Sequence, residues 1–195
     1  MKHLAGKWIA LDGVDAVGKS TQIQLLKKKI EAVGVPALVL PECSESPLGK
    51  TIQRIIEDQR FYALHVLKRT PYADTYALIA DTVYKIEAEG HDVMSSGGVV
   101  LSDRGILSLV GYQAKRAELH SGIAPADAVD RLSHIVRSTM EHLRLPDHHI
   151  FLTIEEAEMQ RRVVGRGETP MEASDLKFIM SLKKLKPRSQ PLLFL

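Results

Sequence analysis

A single cysteine, Cys43, occurs in 195 residues, which excludes an internal disulfide and suits a reducing compartment. Excess charge of one sign is also missing. Lys and Arg number 26 against 24 Asp and Glu, and the formal net charge of +2 is too small to argue for a nucleic-acid or membrane partner. No apolar run approaches the ~20 residues of a membrane span, and no basic-then-apolar leader opens the chain. These absences predict a cytoplasmic protein. What is present, 45% apolar and 26% charged residues, is the composition of an ordinary globular chain, and 195 residues suit one α/β domain with one core.

The most informative stretch lies near the start. Trp8-Ile9-Ala10-Leu11 is an apolar run short enough for a buried strand. It leads into Gly13-Val14-Asp15-Ala16-Val17-Gly18-Lys19-Ser20, the pattern G-x-x-x-x-G-K-[ST] of a phosphate-binding loop. Glycines let the backbone N–H groups of such a loop approach phosphate oxygens with no Cβ in the way. Lys19 is expected to reach the β- and γ-phosphates of a nucleoside triphosphate, and Ser20 to hold Mg²⁺ through its hydroxyl. The following helix aims its positive end at the same anion. The donor site is therefore read as Gly13 through Thr21.

Helical spacing from Gln22 to Val33, the Gly34-Val35-Pro36 stop and the apolar run Ala37–Leu40 complete a strand–helix–strand unit. Ligands of open parallel sheets sit beyond the carboxyl ends of strands. That makes Glu42 a candidate to orient an acceptor, assist a metal or pair with an arginine, with a solvated loop glutamate as the plain alternative. Helices are expected over about 48–57, 72–89, 106–119, 125–145 and 155–164, with a last one near 173–185. Asp58 to Thr70 is ambiguous. The run Val99-Val100-Leu101-Ser102 ends in Asp103-Arg104, an acid for the Mg²⁺ region and an arginine suited to bidentate contact with an acceptor phosphate; a surface ion pair capping the next helix is the alternative.

Tyr112 and Gln113 offer polar groups to a bound base. Ile150 to Ile154 reads as a fourth strand and Pro191 to Leu195 as a fifth. His148 and His149 are neighbours on that fourth strand and point to opposite faces, so a structural role is favoured over a shared metal. Arg161, Arg162 and Arg166 lie on or near Gly165-Arg166-Gly167-Glu168-Thr169-Pro170, the composition of a lid whose arginines close over a γ-phosphate, with an ordinary surface loop as the alternative.

Taken together and in order, DGVDAVGKSTQ, the Leu-Pro-Glu turn at Glu42, PLGKTI, VVLSDR, SLVGYQ, the Pro-Asp before the fourth strand and the arginine-bearing lid resemble the thymidylate kinase family over nearly the whole chain. The resemblance implies a P-loop kinase three-layer sandwich, a parallel sheet of about five strands with helices on both faces. It implies ATP·Mg²⁺ as donor, a nucleoside monophosphate as acceptor and commonly a homodimer. It also implies one domain over 1–195 with a lid near 161–174.

Residue by residue, the resemblance makes Asp15 a contact to the acceptor sugar, Glu42 the acid of the Pro-Glu turn, and Asp103 and Arg104 the Asp-Arg pair. Arg104 falls on the acceptor phosphate, and Ser108 and Gln113 on the base pocket. Ala16 stands where some members carry an arginine, so catalytic charge is expected from Arg162 and Arg166. The acceptor side departs from the family: Cys43 replaces an arginine, Leu78 a stacking phenylalanine and Thr82 an arginine that reaches the base. The closing helix after the fifth strand is also missing from the pattern.

Three functions compete on these residues: a nucleoside monophosphate kinase of the thymidylate type, a nucleoside kinase with Glu42 as base, and a nucleotide-binding paralogue with weak or no catalysis. No Asn-Lys-x-Asp stretch supports a GTPase.

Overall fold

The computed structural model describes residues 2–59, 70–140 and 144–167, with Lys177 as an isolated helical position. Four parallel strands form the described sheet: β1 (Trp8–Gly13), β2 (Ala37–Leu40), β3 (Val99–Asp103) and β4 (His148–Leu152), in the order β2-β3-β1-β4. Among the described residues seven α-helices surround it: α1 (Lys19–Glu31), α2 (Pro47–Gln59), α3 (Pro71–Lys85), α4 (His91–Ser95), α5 (Ile106–Ser121), α6 (Pro125–Thr139) and α7 (Glu156–Gly165). This is the α/β architecture expected of a P-loop kinase. The expected fifth strand and the helix near 173–185 lie outside the described residues.

Period-two alternation divides the core. Trp8 and Val100 point to the side covered by α3, α5 and α6, where they pack with Ile79, Ile106, Val110 and Leu132. Ile9, Leu11, Val99 and Leu101 point the other way and bury Ile23 and Ile30 of α1. Strands covered on both faces read as continuous apolar runs, which is why β1 and β3 were legible.

Three boundaries differ from expectation. The helix expected over 72–89 has Pro71 at N1, where a proline is expected to start a helix, behind a Thr70 cap that accepts from Ala73 N at 3.2 Å; it differs at its far end, passing through a π-helical segment, Ile86–Gly90, directly into α4. The helix expected to reach 145 ends at Thr139, because Met140 leaves helical geometry and packs into the core. The fourth strand begins at His148 rather than Ile150. Asp147 starts the pairing: its N–H donates to Trp8 O at 2.8 Å, and its carboxylate accepts from Trp8 N at 2.9 Å. Among the described residues no helix is long and apolar enough to cross a membrane.

Candidate functional site

The loop between β1 and α1 has the backbone that its sequence demands. Gly13 has φ +146, and a Cβ there would stand 2.6 Å from Leu152 O, so only glycine lets the loop leave the sheet beside β4. Gly18 has φ +103 and opens α1 without a side-chain cap, leaving the first N–H groups of that helix for an anion. Val14, Ala16 and Val17 pack on Met159 and Val163 of α7, so that helix supports the loop.

Lys19 is buried and folds back to donate to Val14 O at 3.1 Å. Burial depresses its ammonium, and Arg104 adds to this against the opposing pull of Asp15, Asp103 and Glu42. Ser20 Oγ donates to Asp103 Oδ2 at 2.7 Å, bringing together the hydroxyl and carboxylate expected at a metal. Two hard oxygen donors beside a phosphate cradle fit Mg²⁺, which keeps waters and phosphate oxygens as its other ligands. Arg162, reaching in from α7, donates Nη1 to Ala16 O at 3.3 Å and Val17 O at 3.1 Å while Glu158 holds its Nε at 2.7 Å. Arg166 lies exposed at the carboxyl end of the same helix.

A cavity of about 320 Å³ opens next to this loop, at the carboxyl ends of β1 and β3 and between α2, α3 and α5. Asp15, Glu42, Leu78, Thr82, Arg104, Ser108 and Gln113 all line it, so the acceptor residues expected from the sequence converge on one space. Arg104 is its hub. The guanidinium donates to Gly13 O at 3.1 Å and to Asp15, pairs with Glu42 at 2.8 Å and lies 5.1 Å over the Tyr112 ring. Burial alone would lower it; Glu42, Tyr112 and Asp15 outweigh burial and hold it well above its ordinary value. Its φ of +71 costs a non-glycine residue about 1–2 kcal/mol, and those contacts hold it there.

Several members of the site were not singled out from the sequence. Asp12 is fully buried and caps α5 from the neighbouring strand, accepting from Gly105 N at 2.9 Å and Ser108 N at 2.8 Å. Its other oxygen meets His149 Nδ1 at 2.9 Å, which gives that histidine the structural place favoured over a metal. The carboxyl-end rule that picked Glu42 and Asp103 would have picked Asp12 as well.

Lys85 is buried and donates to Pro41 O at 2.9 Å and Glu42 O at 2.5 Å. Beside it, Asp81 accepts from Ser44 N at 3.0 Å and stands 3.6 Å from the ammonium. This network fixes the Pro-Glu turn. No local signal separates Lys85 from a solvated helix lysine. Cys43, in the same turn, is buried, and burial with the Glu42 charge pushes its thiol up to about 12, which leaves it unreactive.

With this geometry in place, comparison with known proteins decides the family. A family model described as thymidylate kinase matches residues 11–188. The chain belongs to the thymidylate kinase family. Thymidylate kinase of Caldanaerobacter subterraneus subsp. tengcongensis is 26% identical over 175 residues, covering 90% of this chain and 77% of that one. The Synechococcus sp. (strain CC9605) enzyme is 27% identical over 90% and 80%, respectively. Thymidylate kinase of Clavibacter sepedonicus is 34% identical over 110 residues, a match that spans 56% of this chain and 49% of the relative. Among solved structures, Candida albicans thymidylate kinase superposes with a TM-score of 0.65 at 18% identity over 93% of this chain and 76% of its own. The enzyme of Ehrlichia chaffeensis gives 0.56 at 18% over 91% and 87%. These superpositions establish the thymidylate kinase fold for the chain, including the parallel sheet and the helices on both faces.

Proposed function

We propose that the chain transfers the γ-phosphoryl group of ATP to a nucleoside monophosphate, dTMP in the first instance. The observation that carries this is Arg104. It stands at the carboxyl end of β3, in a cavity contiguous with the phosphate loop, with Asp15 and Glu42 holding its guanidinium. A bidentate cation at that point suits an acceptor that carries a phosphate.

On this reading the loop N–H groups and Lys19 bind the donor's β- and γ-phosphates. Ser20 and Asp103 hold Mg²⁺, which supplies charge neutralisation on those phosphates when bound. Arg162 follows the charge on the transferring group, and Arg166, at the end of α7, joins it; the rest of the expected lid, 168–174, lies outside the described residues. Arg104 holds the acceptor phosphate so that one of its oxygens attacks the γ-phosphorus in line, forming the new P–O bond as the bond to the β-phosphate oxygen breaks. No general base is required, because that oxygen is already ionised. Glu42, committed to Arg104, is better placed to orient than to take a proton, which disfavours the nucleoside-kinase alternative.

The test is thermal stability with an unreactive ATP analogue and either dTMP or thymidine. A ligand at 100 times its Kd stabilises by ~2.7 kcal/mol. The expected result is a shift with dTMP and little with thymidine; equal shifts would favour a hydroxyl acceptor. A homodimer belongs to the same reading: Tyr76, Tyr84 and Leu119 on α3 and α5 are exposed apolar side chains that a second copy would cover.

A further inference from the structure

Arg104 stands on the turn that leaves β3, and both neighbouring elements of the sheet hold that turn from behind. From β1, Leu11 O accepts from Arg104 N at 3.0 Å, and Asp12 Oδ1 accepts from Gly105 N at 2.9 Å and Ser108 N at 2.8 Å. From β4, His149 Nδ1 stands 2.9 Å from Asp12 Oδ2. His149 lies opposite Ala10 in the β1–β4 register, so Asp12 is its diagonal neighbour on the same sheet face, within reach of a long side chain. Gly105 is seated directly on the pair: a Cβ there would stand 2.5 Å from Ala10 Cβ, 3.2 Å from Asp12 Oδ2 and 3.4 Å from His149 Cε1.

The contacts also assign a proton. Asp12 is fully buried and spends Oδ1 on two backbone donors, so an ionised carboxylate that accepts on Oδ2 satisfies all three contacts. The imidazole then donates from Nδ1. Burial would raise the Asp12 carboxyl; the hydrogen bond and charge of His149 lead the groups that outweigh it. Without that donor a buried carboxylate takes a proton or turns toward water, and either change loosens the two N–H bonds that start α5.

We infer, on the reading of the cavity beside the phosphate loop as the acceptor site, that His149 is a positioning residue for the acceptor: through Asp12 it fixes the first turn of α5 and so aims Arg104 into that cavity. His149 itself is not among the described residues that line the cavity. The donor loop depends on it less, because Val14, Ala16 and Val17 are held from the other side by Met159 and Val163 of α7. Loss of the imidazole therefore weakens acceptor binding and spares ATP.

The test is calorimetric binding of dTMP and of an unreactive ATP analogue to the full chain, in wild type, His149→Leu and His149→Asn. Leucine removes the donor, whereas asparagine places an amide N–H near the position of Nδ1. His149→Leu should bind dTMP roughly tenfold more weakly and the ATP analogue within about twofold of wild type, on the scale of one lost hydrogen bond to a charged group. His149→Asn should recover most of the dTMP loss. Hydrogen exchange gives a readout that needs no ligand: the Gly105 and Ser108 amides should open roughly tenfold more often in His149→Leu, with Ala114 and Ala117 further along α5 unchanged. Nitrogen NMR of the wild-type imidazole should show the proton on Nδ1, and a proton on Nε2 alone would overturn the inference without any variant. Equal weakening of both nucleotides, unchanged dTMP affinity, or unchanged exchange at Gly105 and Ser108 in His149→Leu would also overturn it. Wild type that binds no dTMP defeats the acceptor reading, and the exchange rates and the imidazole proton then decide separately whether His149 holds the turn.

Discussion

Arg104 and Glu42, from the carboxyl ends of neighbouring strands β3 and β2, meet 2.8 Å apart and line the cavity beside the phosphate loop. Replacing Arg104 by methionine removes the cation and leaves Asp15 and Glu42 facing each other. A charge-assisted hydrogen bond is worth ~1.5–3 kcal/mol, so the KM for the acceptor should rise roughly ten- to a hundredfold. The KM for ATP should change far less, because the loop and Lys19 are untouched. Steady-state kinetics with each substrate varied in turn checks the split.

Arg162 reaches the phosphate loop from α7, through Ala16 O and Val17 O. Arg162→Ala should lower kcat by roughly a hundredfold or more, on the scale of losing one preorganised charge-stabilising group, with little change in thermal stability. Glu158, whose carboxyl is held down to about 2 by hydrogen bonds from Arg161 and Arg162, steers that side chain. Glu158→Gln should therefore give a smaller loss of kcat in single-turnover measurements.

Asp12 ties acid stability to the site. Burial alone would raise its carboxyl; the His149 imidazole and the Ser108 donors outweigh burial and bring it below its ordinary value. Between that lowered value and the unfolded-state value of ~3.9, the unfolded chain binds more protons. The stabilisation is therefore complete above ~3.9 and is lost as pH falls through the folded value. Asp12→Asn should cost about 1–3 kcal/mol at neutral pH and flatten the stability profile below pH ~4. Urea unfolding at a series of pH values measures both effects.

Lys85 and Asp81 form a buried pair under the Pro-Glu turn. Breaking one partner strands the other, so Lys85→Met should destabilise by about 3–5 kcal/mol. The double variant Asp81→Asn with Lys85→Met removes the stranded charge and keeps an acceptor for Ser44, and it should recover part of that loss. Denaturant titration of the four proteins in the cycle gives the coupling.

The parts of this molecule that were legible in its sequence are those governed by short-range pattern. The apolar runs of β1, β2 and β3 and the loop glycines read directly, and Glu42, Asp103 and Arg104 follow from their places at strand ends. What escaped depends on contacts between distant elements. Lys85 looks like a surface lysine until α3 is packed against the turn after β2. Arg116 looks like a helix-face charge until α3 brings Asp74 to it. The start of β4 was misplaced by two residues because Asp147, a turn residue by composition, pairs with Trp8. Asp12 was the avoidable omission, since it stands at the carboxyl end of β1, one residue before Gly13, much as Asp103 ends β3.

Product analysis of the protein with ATP·Mg²⁺ and dTMP, against thymidine as control acceptor and Lys19→Ala as control protein, decides whether it transfers a phosphoryl group to dTMP. The predicted result is dTDP and ADP formed one for one, no phosphorylation of thymidine, and a rate at least a hundredfold lower in Lys19→Ala, on the scale of a lost charge-stabilising group. Folded protein that makes no dTDP, that phosphorylates thymidine as well as dTMP, or that keeps its rate without Lys19 would contradict the proposed function.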